Sequence, residues 1–219
     1  MKHVFGPEKP EHVAEGWPGQ FTTIFSWLDC LFTLPRPVSV ITTRKANGAP
    51  NACPDAWGTL LGGGEDYSSL IAVYHHYHTY ENILREREWC INFPDSTMES
   101  KWDQTMRSND PDNDEITDAG FTVEQAQTVQ APRIAECLIN LECRLEWDRP
   151  LYEGSNMHLF CGRITALAMD ESLMHLGQDE RLRAMSLSYL VHGQINPLTG
   201  ALLDPSRQLT ILRHDLHEG

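Results

Sequence analysis

Two β-patterned runs in the second half of the chain constrain its fold most. Ile139, Leu141, Cys143, Leu145 and Trp147 alternate with Asn140, Glu142, Arg144 and Glu146, the period of two expected of a strand with one wet face. Soon afterwards residues 157–169 are apolar on both faces apart from His158 and Arg163, as a central barrel strand would be. Such strands need hydrogen-bonding neighbours, and the first half of the chain supplies them. Residues 38–43 are β-branched and read as a strand, Asn47-Gly48 as a tight turn, and residues 50–61 as a second, less regular strand. Gly62 to Gly64 read as a loop, residues 69–77 as a third strand, and residues 89–93 as a strand ended by Pro94. Strands joined by tight turns, with few and short helices, favour an antiparallel barrel or sandwich over a doubly wound sheet.

Helical spacing is limited. Phe21, Ile24, Phe25, Leu28 and Leu31 predict a short helix over residues 21–32, stopped by Pro35 and Pro37. Met98, Trp102 and Met106 recur on one helical face, residues 108–115 form an acidic loop, and a further helix is expected near residues 180–190. Thr79 is read as a helix N-cap, with Glu81 well placed in the first turn. The organisation expected is an N-terminal arm and short helix over 1–33 and a barrel domain over 34–170. A C-terminal helix and tail over 171–219 would pack on the barrel or on a dimer partner.

The formal net charge of −14 disfavours a general nucleic-acid or acidic-membrane surface, so an anionic ligand needs its own local donors. The six cysteines show no C-x-x-C spacing, and a disulfide framework is not expected at this length. With no secretory-type apolar stretch and no run of membrane-spanning length, the chain reads as a soluble protein of the reducing cytoplasm. His75, His76 and His78 do not converge as zinc requires, and residues 110–121 lack the glycine and final carboxylate of a calcium loop, so no metal is expected.

The informative stretch is PRPVSVITTRKANGAPNACPDAWGTL followed by HHYHTYENI. Pro35, Pro37 and Val38 precede the first strand, Thr42-Thr43 end it, and Asn47-Gly48 turn the chain. Asn51 and Pro54 then lead the second strand, and His78, Thr79, Asn82 and Ile83 follow the third. With the later segments 112–124, 131–147 and 158–167, this order resembles the flavin reductase-like, FMN-binding split-barrel family. The resemblance covers roughly residues 34–170. It implies a mainly β fold with flanking helices, an antiparallel Greek-key split barrel, and FMN as cofactor. It also implies a homodimer, with NAD(P)H or a reduced carrier as transient electron donor.

By the same resemblance the flavin ring lies along Asn51, Ala52, Cys53, Asp55, Ala56 and Trp57. Backbone groups of Cys53, Asp55 and Ala56 would meet its pyrimidine edge, and Trp57 would offer stacking surface. The phosphate would sit at the helix start by Thr79 and Asn82, where unpaired amides and the helix dipole favour an anion. Within an extended strand His76 and His78 share a face that His75 does not, which makes those two the phosphate candidates and His75 not. Ala56 and His76 depart from the Ser or Thr and the Arg common in the family. No side chain is nominated as general acid or base, because the flavin carries the redox chemistry. A flavin- or haem-carrying module without turnover is the alternative on this fold, and a pyridoxamine-phosphate-oxidase-like activity a third option.

Overall fold

The structure, a computed structural model, describes residues 34–107 and 110–190 without interruption, together with 2–8, 10–13, 28, 31, 196 and 198–201. The chain divides into two compact units, Arg36–Leu190 and a second made of Met1–Pro35 with Val191–Gly219. The helix expected over 21–32 and the tail beyond 201 lie almost wholly outside the described residues.

The first unit carries β1 (Arg36–Pro37), β2 (Ser39–Arg44), β3 (Pro50–Asp55), β4 (Thr59–Gly63), β5 (Asp66–Tyr74) and α1 (His78–Glu86). These are followed by β6 (Glu88–Phe93), α2 (Glu99–Gln104), α3 (Glu115–Asp118), β7 (Val123–Glu124) and β8 (Arg133–Ile134). The long strands β9 (Ile139–Pro150) and β10 (Met157–Met169), then α4 (Glu171–Met174), α5 (Gln178–Ala184) and β11 (Tyr189–Leu190), complete it. Seven strands form one sheet in the order β3-β2-β6-β9-β10-β5-β4, every pair antiparallel. Its two edge strands, β3 and β4, are consecutive in the chain and joined only by residues 56–58. The edges are thus held together at one corner, which makes the sheet a split barrel.

Side chains from five strands meet inside: Ile41, Ile71, Trp89, Leu141 and Phe160 share one buried cluster, with Ile83 of α1 closing an end. Gly162 is required there, since an ideal Cβ would stand 2.3 Å from Trp89 Cη2. The opposite face of β2 is also covered. Val40 and Ala52 pack with Ile116, Phe121 and Ile134, and Met98 and Trp102 of the α2 region lean on them. Burial on both faces explains why β2 is a β-branched run rather than an alternating one.

Several boundaries differ from the sequence expectation. Residues 50–61 are not one strand but β3 and β4, broken where the chain crosses from one sheet edge to the other at Ala56–Gly58. The Gly62–Gly64 segment is a hairpin end rather than a free loop, with Gly63 paired to Asp66 and Gly64 in the left-handed region. The third strand stops at Tyr74, so His75 and His76 lie in a turn and the alternation argument fails for them. Glu115 is not part of a solvated acidic loop. It opens α3 behind an Asp114 cap and is 4% exposed. Around residues 180–190 the chain holds α5 and then β11, which pairs with β1.

Candidate functional site

The region that gathers the nominated residues lies where β3, the β3–β4 bend and the start of α1 meet. Tyr77, not Thr79, is the N-cap of α1; it is extended (φ −90°, ψ 140°) and makes no side-chain cap bond. Thr79 sits inside the first turn, 1% exposed, where its hydroxyl accepts from Asn51 Nδ2 at 2.9 Å. Asn82 Nδ2 donates to Thr43 Oγ1 at 2.9 Å, and Arg85 Nη2 donates to Asn82 Oδ1 at 3.0 Å. Asn51, Thr79 and Asn82 thus bolt α1 onto β2 and β3 through buried side-chain bonds, which fixes the helix axis. The Tyr80 amide is bonded to the Tyr77 carbonyl at 3.0 Å. The amides at the helix start left to meet an anion are those of His78 and Thr79.

Beneath that helix start runs a buried ion pair. Lys45 Nζ stands 2.9 Å from Glu115 Oε1 and donates to the carbonyls of Asp110 (2.6 Å) and Asn113 (2.9 Å). Glu115 Oε2 accepts the Ala52 amide at 2.9 Å, which withdraws that amide from any ligand. His78 Nδ1 is 3.9 Å from Glu115 Oε1, buried, and without a hydrogen-bond partner. Because Lys45 neutralises Glu115, the carboxylate does not repel an anion above it. Sequence reasoning missed Lys45 and Glu115. A cation directly after Thr42-Thr43-Arg44 was the available signal, but its partner lies seventy residues on.

β3 is an edge strand, and its chemistry there is selective. Since the Ala52 amide points to Glu115, alternation turns the amides and carbonyls of Cys53 and Asp55 toward β2. The open edge presents the carbonyls of Ala52 and Pro54, while Pro50 and Pro54 have no amide to expose. The backbone groups of Cys53 and Asp55, expected to meet the pyrimidine edge of the ring, thus face β2, and the carbonyls of Ala52 and Pro54 face the open edge. The Cys53 thiol is pushed up to about 12 by burial first and by the Asp55 charge next, with a contact to Thr79 partly offsetting them. It stays a neutral thiol at physiological pH.

The bend also supplies an aromatic wall. Trp57 meets Tyr74 edge-on at 5.7 Å, Tyr74 meets Tyr77 at 6.0 Å, and His76 lies 4.4 Å from Tyr77. Trp57 and His76, apart in sequence, are brought together by Tyr74 and Tyr77, which the sequence reading passed over. His75 turns away to Tyr80 at 4.6 Å and toward His158, whose Nε2 pairs with Asp148 Oδ1 at 2.8 Å. The three neighbouring histidines thus serve three different environments. A cavity of about 210 Å³ beside α1 carries both signs of charge, Lys45 and Arg85 with Glu81 and Asp112, and His78 also lines it.

Known proteins share this fold. The chain is 25% identical over 167 residues to an uncharacterized protein of Aquifex aeolicus (strain VF5), covering 74% of this chain and 81% of that one. Its fold matches nitrilotriacetate monooxygenase component B from Bacillus cereus with a TM-score of 0.72 at 19% identity, over 95% of this chain and 98% of that one. It also matches the flavoredoxin of Desulfovibrio vulgaris (Miyazaki F), with a TM-score of 0.62 at 19% identity over 75% and 91%. The model of the flavin reductase like domain matches residues 31–185, and the chain belongs to that family.

Proposed function

We propose that the chain is an FMN-dependent oxidoreductase of the flavin reductase type, working in the cytoplasm as a homodimer and reduced by NAD(P)H or a reduced carrier. The observation that carries this reading is the uncapped start of α1 set beside the open edge of β3. The amides of His78 and Thr79, with the unpartnered Nδ1 of His78, suit a single phosphate. The carbonyls of Ala52 and Pro54 and the bend at Ala56 suit the polar edge of a flavin ring. Trp57, Tyr74 and Tyr77 give that ring, or a nicotinamide above it, an apolar wall.

When bound, the flavin supplies the chemistry, taking up a hydride or electrons and passing them on. The residues of this chain orient it and exclude water around it. The side chains of Asn51, Thr79 and Asn82 act through position, holding α1 against β2 and β3, while the backbone amide of Thr79 meets the phosphate.

The test is an absorbance spectrum of the purified protein, then titration with FMN and with FAD, then anaerobic NADH and NADPH. Flavin absorbance, tighter binding of FMN than FAD, and bleaching by one nicotinamide are the expected results. Light scattering should return twice the chain mass. Absence of flavin absorbance together with no FMN-induced thermal shift would defeat the reading. Loaded protein that no nicotinamide or reduced carrier bleaches would turn it into a flavin carrier without turnover.

A further inference from the structure

At the β3–β4 bend, where Asp55 and Gly58 line it, lies a cavity of about 200 Å³ formed by none of the residues assigned to the flavin under the proposed function. Its walls are Leu60, Ile71, Ile91 and Phe93, and the exposed Pro37 and Thr59 stand at its rim. Among the described residues, one charged side chain lines it. Asp55 is 9% exposed; its Oδ1 accepts the Trp57 amide at 3.3 Å, and its Oδ2 is buried without a hydrogen-bond partner. Gly58 lets the bend close over this carboxyl, since an ideal Cβ there would lie 2.8 Å from Oδ2.

A buried acceptor left without a donor is costly, and a lone carboxylate more so. Within an apolar pocket that cost becomes affinity for a group bringing positive charge and N–H donors together. The net charge of −14 also enriches cations around the chain. We propose that this pocket binds a small organic cation, an amidinium or primary ammonium on a compact apolar body, with the Asp55 carboxylate as its counter-ion. The apolar walls take the body, and Oδ2 takes the N–H.

Asp55 is the one titratable residue lining the pocket, because β2 contributes Ser39, β5 Ile71, and β6 Ile91 and Phe93. Cys53, on the same strand, is a thiol that burial and the Asp55 charge keep neutral. Burial pushes Asp55 up to about 6, with the amides of Trp57 and Gly58 partly offsetting it. Binding therefore displaces a proton below that pH, and affinity rises with pH until the carboxyl is ionised.

Calorimetry of the full chain with benzamidine at pH 5 and pH 7.5 tests this, with benzamide as the uncharged isostere. The expected result is saturable one-site binding at pH 7.5, about tenfold weaker at pH 5. Asp55→Asn should weaken it at least tenfold and flatten the pH dependence. Thr59→Trp at the exposed rim should block binding without touching the carboxyl. No saturable binding, equal affinity for benzamide, or unchanged affinity in Asp55→Asn would overturn the proposal. The FMN titration described above is a separate readout, so failure of either reading is recognised independently.

Discussion

Glu142 and Asp55 are carboxylates buried in the same barrel, and their surroundings treat them in opposite ways. Glu142, on β9, has a fully buried side chain. It accepts from the Gln127 amide at 3.0 Å, the Thr128 amide at 2.6 Å and the Thr128 hydroxyl at 2.7 Å, and Arg133 stands 3.5 Å away. Burial acts to raise its carboxyl, but the bonds from Gln127 and Thr128, with Arg133, outweigh it and hold it below the ordinary range. Asp55, on β3, has only the amides of Trp57 and Gly58 to offset burial and one oxygen without a hydrogen-bond partner, so burial prevails and raises it. A satisfied buried charge is scaffold: Glu142, with Glu88 accepting the Ala131 amide, pins the 125–134 segment across the sheet. An unsatisfied one marks a place where the fold tolerates strain and a ligand can gain.

Removing the satisfied charge should have the largest effect. Glu142→Ala removes the acceptor of the Gln127 and Thr128 amides and one of the two carboxylates beside Arg133, and should cost about 3–5 kcal/mol in urea unfolding. A loss below about 1 kcal/mol would show that the 125–134 segment is not anchored there. Next comes the contrast itself. Asp55→Asn should be neutral or stabilising by about 1–3 kcal/mol at pH 7.5, because it removes the charge and keeps the shape. A clear destabilisation would mean that Asp55 has a structural partner, and the comparison would collapse.

The pH dependence sharpens the same point, with opposite signs for the two groups. Asp55 titrates higher folded than unfolded, so between pH 4 and 6 the native state binds the extra proton. Its contribution to stability falls as pH rises through that window. Glu142 titrates lower folded than unfolded, and its contribution is present above pH 4.5 and lost as pH falls. The stability gap between Asp55→Asn and the parent should therefore open from pH 4 to 6 and then stay level. A gap independent of pH would remove Asp55 as its source. The smallest effect is expected from Asn51→Ala, which breaks one buried bond to Thr79 and should cost about 1–2 kcal/mol. It should weaken FMN only through a looser α1, and a total loss of FMN binding would make Asn51 a direct contact.

Much of the barrel was legible because local chemistry wrote it down. The limits of β10 follow directly from an apolar run, and the β2–β3 turn from Asn47-Gly48, where Gly48 takes φ +87°. The candidate site was legible only in outline. Short ordered motifs located β3 and the start of α1, but Thr79 was read as a cap because its type suits one, whereas its hydroxyl is spent on Asn51. The three histidines were assigned by strand alternation, and the strand ends before them.

By itself the sequence determined where the central strands run, the turn residues and the family. These depend on period, side-chain type and order, which are local properties. Only the tertiary structure decided that residues 50–61 break into two sheet edges, that Lys45 neutralises Glu115 beneath α1, and that Asp55 faces an apolar pocket with an oxygen unpaired. Each of those depends on which groups meet across long stretches of chain. A carboxylate in a sequence carries no mark of whether its partners will arrive, and in this barrel that alone separates Glu142 from Asp55.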